Sequence, residues 1–90
     1  MKQKEFKIKQ KVKIDLNYLK KWIKDLKKED KKEIAEIIKR DGITTIRNKK
    51  TGFTLDIKRG CMQENTQYLI DYDWRISNYG GIPLSKVKAI

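Results

Sequence analysis

Phe6-Lys7-Ile8-Lys9-Gln10-Lys11-Val12-Lys13-Ile14 puts apolar residues on four even positions and lysine on every odd one. Successive side chains of a strand point to opposite faces, so this stretch predicts a strand. Phe6, Ile8, Val12 and Ile14 would face a core, and Lys7, Lys9, Lys11 and Lys13 would form a ladder on the outer face. Two residues of strand advance about 6.8 Å, a spacing that lets the ammonium groups follow a polyanion backbone.

Outward from this strand, the helical signals are clear. Asp15 stands at an N-cap position before Leu16, Leu19, Trp22, Ile23 and Leu26, whose spacings of three and four mark one apolar stripe. The polar run Lys27-Lys28-Glu29-Asp30-Lys31-Lys32 interrupts it. Asp30 followed by Glu33 reads as the start of a second helix, with Ile34, Ile37 and Ile38 on its core face and Gly42 at its left-handed C-terminal position. The rest reads as strands. Residues 43–47 lead into a turn at Asn48-Lys49-Lys50-Thr51-Gly52, and Phe53, Leu55 and Ile57 then alternate with polar residues. Residues 59–66 read as a loop. Tyr68, Ile70, Tyr72, Trp74 and Ile76 alternate with Leu69, Asp71, Asp73, Arg75 and Ser77, which favours a strand with its aromatics buried. A turn at residues 78–81 and an edge strand at 82–87 containing Pro83 close the chain. The order β-α-α-β-β-β(-β) predicts a two-layer α+β domain over residues 1–90: a mainly antiparallel sheet with a helical hairpin on one face.

Composition narrows the function classes. Ninety residues suit one small domain, and the net charge of +11 is uneven. Residues 1–59 hold 20 Lys/Arg against 9 Asp/Glu, whereas residues 60–90 hold 3 against 3. This asymmetry points to nucleic acid, RNA or DNA, or to an acidic protein surface as partner. One cysteine, Cys61, cannot build an internal disulfide framework, and no apolar run approaches membrane-spanning length. A cytoplasmic protein is expected.

Three basic clusters are candidate contacts: the ladder Lys7, Lys9, Lys11 and Lys13; the first helix with Lys20, Lys24, Lys27 and Lys28; and the tip residues Arg47, Lys49 and Lys50. The ladder has an internal competitor, because Asp56, Asp71 and Asp73 are expected on its sheet face and could neutralise it across strands. The tip ranks first, since turns more often carry function and a two-stranded ribbon fits a major groove. Catalytic signals are sparse. The chain has no histidine, no phosphate-binding glycine loop and no zinc-ligand spacing. Asp56, Asp71 and Asp73 could in principle hold magnesium, but salt bridging is the simpler role for acids among so many lysines, so no metal or cofactor is expected.

The basic helical hairpin over residues 16–40 and the strands at 53–59 and 67–76 resemble, in element order, the RelE/ParE group of small bacterial toxins. Its ribosome-dependent RNases work with Lys, Arg and Tyr. The resemblance implies a histidine-free RNase with Arg59, Arg75 and Tyr79 as the residues to test. Three expectations result. The first is a non-enzymatic, sequence-tolerant nucleic-acid-binding protein of bacterial, phage or mobile-element origin. The second is an RNase toxin. The third is a phage-type inhibitor or regulator that docks on a protein, with self-association through an edge strand also open.

Overall fold

The structure, a computed structural model, describes residues 5–90. In chain order it contains β1 (Lys11–Ile14), α1 (Leu16–Trp22), a 3₁₀ turn (Ile23–Asp25), α2 (Lys28–Lys39), β2 (Ile43–Thr45), β3 (Asn48–Asp56) and β4 (Cys61–Leu69). A 3₁₀ turn (Asp71–Asp73), β5 (Arg75–Ile76), another 3₁₀ turn (Leu84–Lys86) and β6 (Val87–Ala89) follow. The fold is α+β, with two packed helices followed by antiparallel strands. Those strands divide into two three-stranded sheets, ordered β2-β1-β6 and β3-β4-β5. An isolated parallel bridge joins Ile76 to Ile82.

Asp15 caps α1 as its position predicts: its carboxylate accepts the Tyr18 backbone N–H at 3.1 Å. That bond chiefly holds the Asp15 pKa below the ordinary carboxylate value, with Lys86 and Lys88 adding smaller electrostatic help against a desolvation penalty. α2 begins at Lys28 rather than at Asp30, so Glu29 and Asp30 occupy its first turn, where acidic groups complement the helix dipole. The helix closes through two left-handed residues. Asp41, rather than the expected Gly42, directly follows the Arg40 cap, and its N–H reaches Ile38 O at 3.0 Å; Gly42 comes next, with its N–H reaching Ile37 O at 2.9 Å. A Cβ there would lie 2.4 Å from Ile14 O, so glycine is needed both for its conformation and for the close approach of β1.

Leu19, Ile34 and Ile37 carry the helical layer into one core with Val12, Ile14, Ile46, Tyr68, Ile70, Ile76, Ile82 and Val87. Full burial of each such aliphatic side chain contributes roughly 1.5–3 kcal/mol. Trp22 sets its ring against Trp74 at 5.0 Å and against Tyr18 at 5.8 Å, closing the helix side of this core.

Four expectations need correction. The first strand is four residues long, because its ladder with β2 ends at the Lys11–Thr45 pair as β2 leaves the sheet. Lys9 then turns left-handed, and its N–H takes Ile46 O at 2.7 Å. Phe6 still reaches the core, edge-on to Tyr68, but Ile8 is 55% exposed instead of inward. Second, residues 48–52 are strand, and of the expected loop at 59–66 only residues 59–60 belong to a turn while 61–66 are strand; the hairpin reverses at residues 57–60. Third, the stretch 68–77 breaks at Tyr72 and Asp73, both with positive φ. The Asp71 carboxylate there accepts from the Arg40 guanidinium and the Thr44 hydroxyl, which anchors the turn to the helical layer. Fourth, the final strand is Val87–Ala89, paired with β1 at a sheet edge, while Pro83 leads into the preceding 3₁₀ turn.

Candidate nucleic-acid interface

The longest continuous pairing in the molecule is the β3–β4 hairpin, with nine rungs from Asn48–Leu69 to Asp56–Cys61. Asp56 makes the reversal. Its carboxylate accepts the Lys58 and Arg59 backbone N–H groups at 3.1 and 3.3 Å, its carbonyl accepts Gly60 N–H at 2.8 Å, and Gly60 is left-handed. β5 pairs with β4 only at Tyr68 and Leu69. The hairpin therefore runs on from the body as an arm, about 20 Å over the six residue steps from Gln67 to Cys61.

Period-two geometry gives the arm two unlike faces. Direct partners across the ladder share a face, so one carries Lys49, Thr51, Phe53 and Leu55 with Tyr68, Thr66, Glu64 and Met62. At its root this face is core: Tyr68 is buried and its hydroxyl accepts Phe6 N–H at 3.2 Å. Further out it is bare, with Phe53 70%, Leu55 56% and Met62 57% exposed, and Ile57 at the tip 86% exposed.

The other face is polar. Asn48, Lys50, Gln67, Leu69, Asp73 and Arg75 surround an open cleft of about 350 Å³ where the arm meets β5. Lys50 and Gln67 also border an adjoining recess of about 130 Å³, beside Gly52, Thr54 and Asn65. Asn65 is 2% exposed; its amide Nδ2 donates weakly to Thr54 Oγ1 at 3.5 Å, while its Oδ1 has no hydrogen-bond partner among the described residues. A buried acceptor left unpaired costs roughly 1–3 kcal/mol, and a donor entering the recess would relieve that cost. Two cations against one carboxylate, Asp73, with three side-chain amides and one unmet acceptor, leave the two recesses net positive and able to contact phosphate and base edges.

The structure redistributes the expected contact residues. Lys50 and Arg75, drawn from two different expectations, line the same cleft. Arg47, Lys49 and Lys50 are not at a tip: Arg47 donates its N–H to Leu69 O at the arm's root, and the two lysines lie on opposite faces of β3. The four-lysine ladder is not a continuous row, because Lys7 and Lys9 belong to the turn before β1. Asp56, Asp71 and Asp73 do not neutralise it; Lys13 instead pairs with Asp41 at 2.9 Å. Lys20, Lys24, Lys27 and Lys28 are exposed along the helical layer, with no carboxylate within 4.0 Å among the described residues.

Arg59, Arg75 and Tyr79 do not converge. Arg59 sits at the tip, its Nε 3.8 Å from Asp56, and Arg75 is opposite Leu69 at the root. Eight residues of strand, roughly 27 Å, separate those ends. Tyr79 belongs to a turn in which its N–H reaches Ser77 Oγ at 3.3 Å. The same length of arm parts Asp56 from Asp71 and Asp73, so these three acids do not form a cluster. The residues of the two recesses that sequence reasoning did not single out are Asn48, Asn65 and Gln67. The one advance signal for the true reversal is that Asp56-Ile57-Lys58-Arg59-Gly60 repeats the Asx-x-x-x-Gly spacing of Asn48 to Gly52.

No protein-family model, curated protein or solved structure matches the chain.

Proposed function

We propose that this is a non-enzymatic, sequence-tolerant nucleic-acid-binding protein that grips its ligand with the β3–β4 arm. The observation that carries the reading is the meeting of Lys50 and Arg75 with Asn48 and Gln67 in one cleft, with the unpaired Asn65 acceptor in the recess that adjoins it at Lys50 and Gln67. Cations there supply affinity by releasing counterions, and the amides add contacts to phosphate or base edges. The exposed lysines of the helical layer extend the positive field and steer the polyanion toward the arm.

Binding of a labelled 30-base-pair duplex and of a single strand, measured across a salt series, tests the reading. Neutralising six phosphates lowers affinity about a thousandfold between 50 and 200 mM salt. Lys50→Ala combined with Arg75→Ala should reduce the log–log slope by about 2. A flat salt response in the wild-type protein would sink the proposal.

A further inference from the structure

The polar face of the arm has a role in this reading, but its opposite face does not. Phe53, Leu55 and Met62 form a bare apolar strip next to Ile57 at the tip. Packing does not account for their exposure, because the same face is closed by Phe6 only at Tyr68. Among the described residues Phe53 has no aromatic partner.

We infer that this strip is a wedge that parts a base-pair step of a bound duplex, an inference that rests on the nucleic-acid reading above. Three observations choose this occupant. First, the strip is bracketed by cations, with Lys49 on its face toward the root and Lys58 and the Asp56-paired Arg59 at the tip, while Glu64 opposite Phe53 is the one acid between them. That order of charge, apolar side chains and charge complements a duplex, with phosphates outside and stacked bases inside. Second, the side chains are of the type that wedges between base steps: Phe, Leu, Ile and Met. Phe53 and Leu55 project from one face about 6.8 Å apart, twice the roughly 3.4 Å phosphate spacing of each DNA strand along the helix axis. Third, a second copy of the chain is a poor cover. Four apolar side chains fall far short of the roughly 20–30 residues a side of a stable interface, and two molecules of +11 repel.

The arm then enters a groove with its apolar face toward the bases, Lys49, Lys58 and Arg59 hold phosphates on either side, and the polar face at the root keeps Lys50 and Arg75 for the flanking backbone rather than for base edges. One parted step bends the duplex away from the wedge. Side chains that are costly to expose in the free protein are covered only in the complex.

The test uses the full chain and a 30-base-pair duplex labelled at both ends for energy transfer, containing central TA steps that kink easily. Wild-type protein should shorten the end-to-end distance. Phe53→Ser with Leu55→Ser should weaken binding about tenfold and abolish the shortening, with an unchanged salt slope and thermal midpoint. Lys58→Ala with Arg59→Ala should instead lower the slope by about 2.

A serine variant that binds and bends like wild type overturns the wedge and leaves the nucleic-acid reading intact. So does a wild-type complex that forms without bending. Sedimentation of free wild type as a dimer, with the serine variant monomeric, would overturn it by giving the strip to a second copy. No duplex or single-strand binding at 50 mM salt overturns both readings and leaves the strip to a protein partner.

Discussion

Leu55 and Met62 face each other across the β3–β4 ladder, and both stand more than half exposed on the same side of the arm. Elsewhere in the sheet such a pair would be covered; Tyr68, six residues from Met62 on the same face, is buried beneath Phe6. The boundary between body and arm thus falls within one continuous hairpin. A side chain's energetic role changes there although its local structure does not.

Replacing Leu55 and Met62 together by serine is expected to change stability by less than about 0.5 kcal/mol per site, as for surface positions without special roles. The urea midpoint of the double variant should match wild type. A loss of several kcal/mol would mean that the strip is covered in the free protein.

The contrast lies at Ile37, which α2 buries completely in the core. Ile37→Ala removes three carbons from a packed site and should cost about 2–5 kcal/mol by denaturant unfolding. That is a large share of the stability of a 90-residue domain.

Sequence legibility followed the distance over which each element is determined. Asp15, the stripe from Leu16 to Leu26, the pair Ile34 and Ile37, and Gly42 are local signals, and they gave the helical hairpin. Val12 and Ile14 gave the register of β1. Ile8 could not be read locally, because the turn that exposes it depends on a bond between Lys9 and Ile46. The arm was misplaced by eight residues because Asn48–Gly52 and Asp56–Gly60 carry equivalent turn spacing. The apolar alternation of Phe53, Leu55 and Ile57 favoured a core strand there. Alternation reports that residues share a face, not whether anything covers it. Of the charged members of the candidate site, Lys50 was visible in the sequence as part of a basic cluster and Arg75 only through the toxin resemblance. Their meeting was not, since Lys50 and Arg75 are joined only by the pairing of three strands.

Gly42→Ala should destabilise by about 2 kcal/mol or more, because it combines a left-handed backbone with a collision against Ile14 O. Thermal or urea unfolding checks this. An alanine variant as stable as wild type would require a different path for the chain between α2 and β2.

Two groups predict the limits of stability with pH. Asp15 has a folded pKa below its ordinary value of 3.8, so its contribution is present above that value and disappears as pH falls through the folded pKa. Tyr72 donates its hydroxyl to the Glu36 carboxylate. That hydrogen bond is the main reason its pKa is raised above 10.0; desolvation and the charges of Glu36 and Glu33 add to the rise, and Arg40 opposes it. Its contribution is therefore present below pH 10 and is lost as pH rises through the folded pKa. Asp15→Ala should flatten the acid limb of the urea midpoint below about pH 4, and Tyr72→Phe the alkaline limb above about pH 10. Acid and alkaline limbs that neither substitution alters would contradict these assignments.

The most direct test of the central claim is a residue-resolved NMR titration of the labelled protein with a short duplex at low salt. Binding through the arm predicts that the backbone amides of Lys50, Gly52 and Gln67 and the side-chain amide of Asn65 shift first, together with the amide of Arg75. Perturbations confined to the helical lysines Lys20, Lys24, Lys27 and Lys28, with the arm unmoved, would contradict it.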